Sequence, residues 1–179
     1  MSKVVAAEYL TLDGVMENPA WTSPYFNDEL GEFQSELMFS CDALLLGRVT
    51  YESFAAAWPK MDGAPGAERM NSIPKLVAST TLQAAEWNAS IIQGEVAAEV
   101  ARLKREPGQN LLIYGSAQLV QYLHAQGLID EYRLMVFPVL AGSGKRLFAD
   151  GGEQAGMKLI SSYTTSTGVL VLNYVRANG

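Results

Sequence analysis

The sequence predicts an α/β domain with a mixed, mostly parallel central sheet and a C-terminal antiparallel hairpin. Short apolar runs of strand length alternate with stretches whose apolar residues recur every three or four positions, the pattern of parallel βαβ units. The last two segments, 157–164 and 169–176, instead alternate around Ser166-Thr167-Gly168, which is typical of a hairpin. Without an internal repeat or a linker, residues 1–179 are expected to form a single domain.

The composition excludes several classes of protein. With 49% hydrophobic and 18% charged residues, the chain is predicted to be globular. Its net charge is −6 and it has no run of Lys or Arg, so nucleic acid and anionic membranes are poor partners. A lone Cys41 and a lone His124 argue against an internal disulfide and a His-rich metal site. No apolar run has the length of a membrane span, and a strand pattern starts near Met1, so we expect a cytoplasmic, metal-free protein.

The first half of the chain alternates strands and helices. The predicted strands are 3–12, 42–47 and 74–80. A loop with Trp21 follows the Asp13-Gly14 turn, and a helix is predicted over 25–40 with acids in its first turns. Thr50 is predicted to cap a short helix that ends at Pro59, and 59–72 is expected to be a surface loop.

The second half repeats the pattern around one apolar run, 111–114, which stops at Gly115 and leads into a helix opening at Ser116. A very short strand at Ile91-Ile92 and a helix over 95–106 precede it. A strand over 130–138 and a glycine-rich loop, 141–145, follow it. This loop lacks the G-x-x-x-x-G-K-[ST] spacing of a phosphate-binding P-loop, so we interpret it as a flexible connection that closes over a ligand at most.

Three predicted strand ends share a polar, glycine-rich character. They are Gly47-Arg48-x-Thr50, Ser79-Thr80-Thr81 and Gly115-Ser116-Ala117. In an open α/β sheet, ligands bind where the carboxyl ends of parallel strands meet helix N-termini, whose N–H groups bind anions. Together these ends predict a cradle for two phosphate groups. Arg48 adds a bidentate fork for a further one, such as the 2′-phosphate of NADP, provided that it points into the cleft.

Acid–base candidates are fewer and have ordinary alternative explanations. They are Asp13, Asp28, Glu29 and Glu32. Asp13 beside Gly14 also suits an Asx turn, and the other acids suit a helix N-terminus. No Ser/His/Asp or Cys/His set can be assembled, so covalent nucleophilic catalysis is not expected.

Several motifs resemble one known fold family in sequence order. They are T-L-D-G at 11–14, L-L-L-G-R-V-T-Y-E at 44–52, V-A-S-T at 77–80, the run 111–134 that begins L-L-I-Y-G-S-A-Q, and P-V-L-A-G-S-G-K-R-L-F at 138–148. The chain resembles the dihydrofolate-reductase-like superfamily, a three-layer α/β/α fold. It is most similar to the reductase domain of the bifunctional riboflavin-biosynthesis deaminase-reductase and its stand-alone bacterial relatives.

The resemblance implies NADPH as cofactor and assigns residues to it. Cofactor-binding residues would be Ala7, Gly47, Arg48, Thr50, Ser79, Thr80, Tyr114, Gly115, Ser116, Ala117, Gln118 and Leu119. Trp21, Asp28 and Phe137 would bound the substrate pocket. Asp13, or an acid of the first helix such as Glu29, would help to deliver a proton. Relatives of this kind often form homodimers.

The chain is therefore expected to be an NADPH-dependent reductase that transfers hydride to a C=N or C=O group of a small heterocycle. The leading hypothesis is a pyrimidine reductase acting on 5-amino-6-(5-phosphoribosylamino)uracil. The alternatives are a dihydrofolate or pteridine reductase, and a non-catalytic nucleotide-binding or sensor domain. The zinc-deaminase signature H-x-E…C-x-x-C does not occur, so only a reductase half is expected.

Overall fold

The fold is a single eight-stranded sheet with helices on both faces, seen in a computed structural model that describes residues 1–108 and 110–177. The strands are β1 Val4–Leu10, β2 Ala43–Gly47, β3 Lys75–Ala78, β4 Ala89–Ile91, β5 Leu111–Tyr114, β6 Glu131–Val136, β7 Met157–Thr164 and β8 Leu170–Arg176. Their order is β4-β3-β2-β5-β1-β6-β8-β7, and β8 is antiparallel to both of its neighbours, β6 and β7.

Within the described residues, five α-helices flank the sheet. They are α1 Asp28–Phe39, α2 Arg48–Ala57, α3 Ala67–Ser72, α4 Val96–Lys104 and α5 Ala117–Ala125, with short 3-10 turns at Pro19–Thr22 and Trp58–Lys60. Side chains of α1, α2 and α3 fill one buried cluster, and side chains of α4 and α5 fill a second one on the other face. The three-layer α/β/α fold predicted from the sequence is confirmed.

The middle strands are apolar because both of their faces are covered. In β5 all four residues are buried, and in β1 every residue except Tyr9 is buried. Side chains of β1 alternate between the two clusters: Val5 and Ala7 face α1, whereas Val4 and Ala6 face α5. The sequence run at 3–12 is thus a central strand, as predicted.

Three local predictions are wrong. The second helix starts at Arg48, and Thr50 lies in its first turn with its hydroxyl accepting the N–H of Ser116 (3.0 Å) instead of capping the helix. The first helix starts only at Asp28, because the Asn27 side chain accepts the N–H of Leu30 and caps it there. The region 59–72 is not a plain loop: burial of Ala67 and Met70 stabilises α3 within it.

The C-terminal hairpin lies at one edge of the sheet. Seven of the eight residues of β7 are exposed, with Met157 half-buried, so both faces of this strand meet solvent. Among the described residues, no helix combines the length and apolar character of a membrane-spanning segment.

Candidate active site

The order in which the chain adds strands reverses between β1 and β5. The chain leaves β1 through α1 to reach β2 beyond β5, whereas it leaves β5 through α5 to reach β6 on the other side of β1. The last β1–β5 pair is Ala7 with Tyr114, but β1 continues alongside β6 as far as Leu10. A crevice therefore opens at the carboxyl ends of these two strands, at the switch point where open α/β sheets bind ligands.

Two helix N-termini are joined beside this crevice. The backbone N–H of Gly47 donates to Oγ of Ser116 (2.9 Å), and the N–H of Ser116 donates to Oγ1 of Thr50 (3.0 Å). Gly115 and Ser116 both have positive φ, 55° and 59°. A Cβ on Gly115 would lie 3.0 Å from Oγ1 of Thr50, so a glycine is needed for this close approach.

The same two helices lack side-chain caps. Gly47 precedes α2 and Ser116 precedes α5, and neither makes a side-chain cap hydrogen bond. In contrast, Asn27 caps α1 and Glu95 caps α4. In the described part of the chain, the first-turn N–H groups of α2 and α5 thus receive no side-chain acceptor from their N-cap residues, which suits an anion such as a diphosphate.

The predicted phosphate residues at the two outer strand ends lie farther along the same edge. Arg48 is 44% exposed and its guanidinium pairs with Glu52 (2.8 Å) one turn along α2. Ser79 follows β3, and its hydroxyl accepts the N–H groups of Thr81 (3.2 Å) and Leu82 (3.0 Å) in a local turn. Thr80 is exposed. Arg48 is thus the first residue of α2, and Ser79 and Thr80 follow β3, the strand next to β2 on the side away from β5.

The other predicted cofactor residues differ in how far they are buried. Ala7, Tyr114 and Leu119 are buried, Ala117 is half-buried and Gln118 is exposed. The Tyr114 ring lies in the α1-side cluster, where burial raises the pKa of its hydroxyl. That hydroxyl has no hydrogen-bond partner among the described residues.

Asp13 ties two loops together. Its carboxylate accepts the Thr11 hydroxyl (2.5 Å) and the N–H groups of Ala141 (3.1 Å) and Gly142 (2.8 Å). These hydrogen bonds, that from Thr11 above all, lower the pKa of Asp13. Glu17 also accepts the N–H of Lys145 (3.1 Å), so the glycine-rich loop predicted to be flexible is attached to the loop after β1.

Glu29 makes a similar tie elsewhere. Its carboxylate accepts the hydroxyl (2.6 Å) and the N–H (2.9 Å) of Ser166 at the tip of the β7–β8 hairpin. The Ser166 side chain, followed by its N–H, lowers the pKa of Glu29. Asp28, its neighbour at the start of α1, is exposed. At neutral pH Asp13 and Glu29 are both ionised, so neither carboxyl holds a proton of its own.

The predicted substrate residues Trp21 and Phe137 belong to one aromatic cluster. Phe137 is fully buried. The rings of Tyr9, Trp21 and Tyr25 pack edge-on against its ring, with ring centroids 5.6, 5.4 and 6.3 Å from that of Phe137. Trp21 is half-buried and also donates its indole N–H to the carbonyl of Glu17 (3.3 Å). The cluster forms an apolar wall after β1 and β6, with Trp21 as its more accessible member.

Sequence reasoning missed Glu8. This carboxylate is 2% exposed on the α5 side of β1, one residue beyond the last β1–β5 pair. Burial raises the pKa of Glu8 well above its usual value, opposed by a backbone hydrogen bond from Gly115. Its Oε1 atom has no partner among the described residues. The available signal was a single acid inside an apolar central strand.

The comparisons with known proteins agree with this architecture. The sequence model of the RibD C-terminal domain matches residues 2–171. The chain belongs to the RibD C-terminal domain family. The uncharacterized protein YyaP of Bacillus subtilis (strain 168) is 29% identical over 170 residues, covering 92% of this chain and 90% of YyaP.

Solved structures show the same fold. A Shewanella sp. PV-4 protein assigned to riboflavin biosynthesis superposes with a TM-score of 0.82 at 22% identity, covering 98% of this chain and 99% of that one. Dihydrofolate reductase from Enterococcus faecalis, in a complex with NADP(H), gives a TM-score of 0.67 at 12% identity, covering 98% of this chain and 97% of that one. The dihydrofolate-reductase-like fold is thereby confirmed.

We predict that Glu8→Gln stabilises the protein. The pKa of Glu8 is raised in the fold, so the unfolded chain releases this proton above about 4.5 while the folded chain keeps it, and the free energy of unfolding falls as pH rises. The variant should therefore raise Tm, by at least about 2 °C at about pH 8 and by less at about pH 5.

Glu131→Gln is the matched control, with the opposite sign. Burial raises the pKa of Glu131, but Lys3 and Arg133 outweigh it and hold that pKa below its usual value. This variant should lower Tm at neutral pH. A lower Tm for Glu8→Gln at every pH would contradict the prediction; thermal unfolding across the pH series measures both.

Proposed function

We propose that this protein is an NADPH-dependent reductase that transfers hydride to a C=N or C=O group of a small heterocyclic molecule. The leading substrate is 5-amino-6-(5-phosphoribosylamino)uracil of riboflavin biosynthesis. The observation that carries the proposal is the pair of uncapped helix N-termini, α2 and α5, joined through Ser116 beside the switch point. Membership of the RibD C-terminal domain family supports an oxidoreductase.

The residues present fit a dinucleotide. The N–H groups at the starts of α2 and α5 would hold the diphosphate, and the glycine at 115 lets Thr50 pack close enough to join the two helix starts. Arg48 would exchange its exposed partner Glu52 for the 2′-phosphate, which offers a bidentate acceptor of higher charge. The bound cofactor supplies the hydride.

The chain supplies water exclusion and charge around the substrate. The apolar wall of Trp21 and Phe137 would cover a flat heterocyclic ring, and Asp28 would face its polar edge. Asp13 and Glu29 are ionised, so in the proposed reaction they would deliver a proton by orienting water rather than from their own carboxyl groups. The same lowered pKa values favour the second candidate function, a nucleotide-binding domain without turnover.

Arg48→Ala tests the cofactor. We expect the affinity for NADPH to fall about tenfold or more, because a charge-assisted contact with the 2′-phosphate is lost, while the affinity for NADH stays within about threefold. Titrations followed by nicotinamide fluorescence and thermal shift give both affinities. Arg102→Ala is the control, since Arg102 is also an exposed arginine paired with a glutamate of its own helix. If wild-type protein bound neither nucleotide, the reductase proposal would be abandoned.

Asp13→Asn and Glu29→Gln test the proton path. With NADPH and either 5-amino-6-(5-phosphoribosylamino)uracil or dihydrofolate, we expect the variant of the acting residue to lower kcat by at least about tenfold. Loss of NADPH absorbance measures turnover, and the better of the two substrates decides between the pyrimidine and folate alternatives. Wild-type rates in both variants would remove these acids from the reaction. NADPH binding without oxidation of either substrate would favour the non-catalytic domain.

We also propose that two copies of the chain pair through β7. This edge strand exposes apolar side chains on both faces, among them Leu159 (46%), Ile160 (51%) and Tyr163 (43%). A groove of about 340 Å³ between α1 and the hairpin, with Phe33 and Tyr163 in its lining, continues this surface. An exposed apolar edge strand is a ready surface for a second chain.

Ile160→Lys should convert the dimer to a monomer, because it places a charge within the apolar surface. Size-exclusion chromatography with light scattering measures the mass. Met61→Lys, at a similarly exposed position (42%) after Trp58–Lys60, should leave the dimer intact. A monomeric wild-type protein would refute the pairing.

Two further expectations complete the proposal. We propose that residues 1–179 act as a single domain, supported by one sheet that includes strands from both halves of the chain. We propose a cytoplasmic location, supported by the free, buried thiol of Cys41.

A further inference from the structure

Glu8 combines three features that the proposed reaction leaves unexplained. It is 2% exposed, its Oε1 atom has no hydrogen-bond partner among the described residues, and the N–H of Gly115 acts on its carboxyl. A buried polar atom without a partner is costly and rare in folded proteins. Glu8 also lies at the crevice, beneath the turn where α5 begins.

The strand order tells which half of a dinucleotide would reach Glu8. The diphosphate would lie at the starts of α2 and α5, and the groups suited to the phosphorylated adenosine half, Arg48 and Ser79, follow β2 and β3. The other half must then extend the opposite way, towards β1. There β5 has ended, and Glu8 has no partner residue on that strand.

We propose that Glu8 is a binding residue for the nicotinamide half of the cofactor, donating a hydrogen bond from its carboxyl group to the carbonyl oxygen of the carboxamide. The inference rests on the proposed cofactor. A neutral carboxylic acid has one O–H donor, and Oε1 finds no acceptor in the described chain, so the missing partner is an acceptor supplied by the ligand.

Glu8 is suited to remain neutral. Desolvation is the largest influence on its pKa, and the Gly115 hydrogen bond is the only other one. The neighbouring elements carry ionisable groups: Tyr9 beside it on β1, Tyr114 on β5, Glu131 to Arg133 on β6, and Tyr122 and His124 on α5. Within residues 1–108 and 110–177, none of these groups shifts the pKa of Glu8, so its ionised form gains no stabilisation from a cation there.

The test compares two ligands that share the diphosphate. NADPH and 2′-phospho-ADP-ribose, which lacks nicotinamide, are titrated by calorimetry into wild type, Glu8→Leu and Glu8→Gln. We expect Glu8→Leu to lower the affinity for NADPH about tenfold, the equivalent of one hydrogen bond. The affinity for 2′-phospho-ADP-ribose should stay within about threefold of the wild-type value. Glu8→Gln, whose amide N–H can replace the acid O–H, should restore NADPH binding. Glu131→Gln, at the amino end of the neighbouring strand β6, should change neither affinity.

Other results refute the inference in distinct ways. Equal weakening of both ligands by Glu8→Leu would show that Glu8 only supports the Gly115 turn. Unchanged binding of both would show no role in the site. The Tm of each variant without ligand, measured in parallel, separates misfolding from the loss of a contact. If Glu8→Leu is destabilised, the comparison of Glu8→Gln with wild type decides. Weaker NADPH binding by Glu8→Gln than by wild type would also refute the proposal. Absence of NADPH binding to wild type would overturn the proposed function itself.

Discussion

The two hydrogen bonds that join Ser116 to Gly47 and Thr50 are the constraint on which the site depends. Through its hydroxyl and its N–H, this residue joins the end of β2 to the start of α5, using Gly47 and Thr50 as partners. Without them the N-termini of α2 and α5 would be two separate anion sites of modest strength. Joined, they present their first-turn N–H groups to one place at the sheet edge, which is the geometry a diphosphate requires.

Because β1 and β5 differ in length, further side chains of β1 lie beside the joined helix N-termini. β5 stops at Tyr114, and β1 continues for three residues with β6 as its neighbour. This exposes an edge of a central strand that would otherwise be buried by pairing. On one side of β1 it leads to the aromatic wall around Phe137, and on the other it leads to Glu8.

Much of the fold could be predicted because periodicity records burial. The runs at 43–46 and 111–114 are apolar throughout because helices cover both faces of β2 and β5. The strand ends around Gly47 and Gly115 could be predicted because glycine and hydroxyl residues mark tight βα turns. Helix starts were harder to predict. Thr50 is a residue type that often caps helices, but its hydroxyl accepts a hydrogen bond from Ser116, 66 positions later in the chain.

The acids of the site were the least predictable part. In the sequence, Asp13 and Glu29 resemble catalytic acids. Only their tertiary contacts show that Asp13 binds the glycine-rich loop and that Glu29 binds the tip of the β7–β8 hairpin. In the sequence, Glu8 looks like an interruption of a strand. Only the structure shows that it is a buried carboxyl group with a raised pKa beside Gly115. The ionisation of Glu8 depends on burial and on Gly115, and that of Glu29 depends on Ser166; both neighbours are distant in sequence, so no local pattern reports these shifts.

The left-handed backbone of Ser116 limits how the protein can be engineered. A non-glycine residue in this conformation stores conformational strain of about 1–2 kcal/mol, and glycine is the usual stabilising replacement. Here that replacement would relieve the backbone and at the same time delete the hydroxyl that accepts the N–H of Gly47. Libraries selected for thermostability alone would thus tend to drift away from ligand binding at this position, whereas libraries selected for binding would retain the strain.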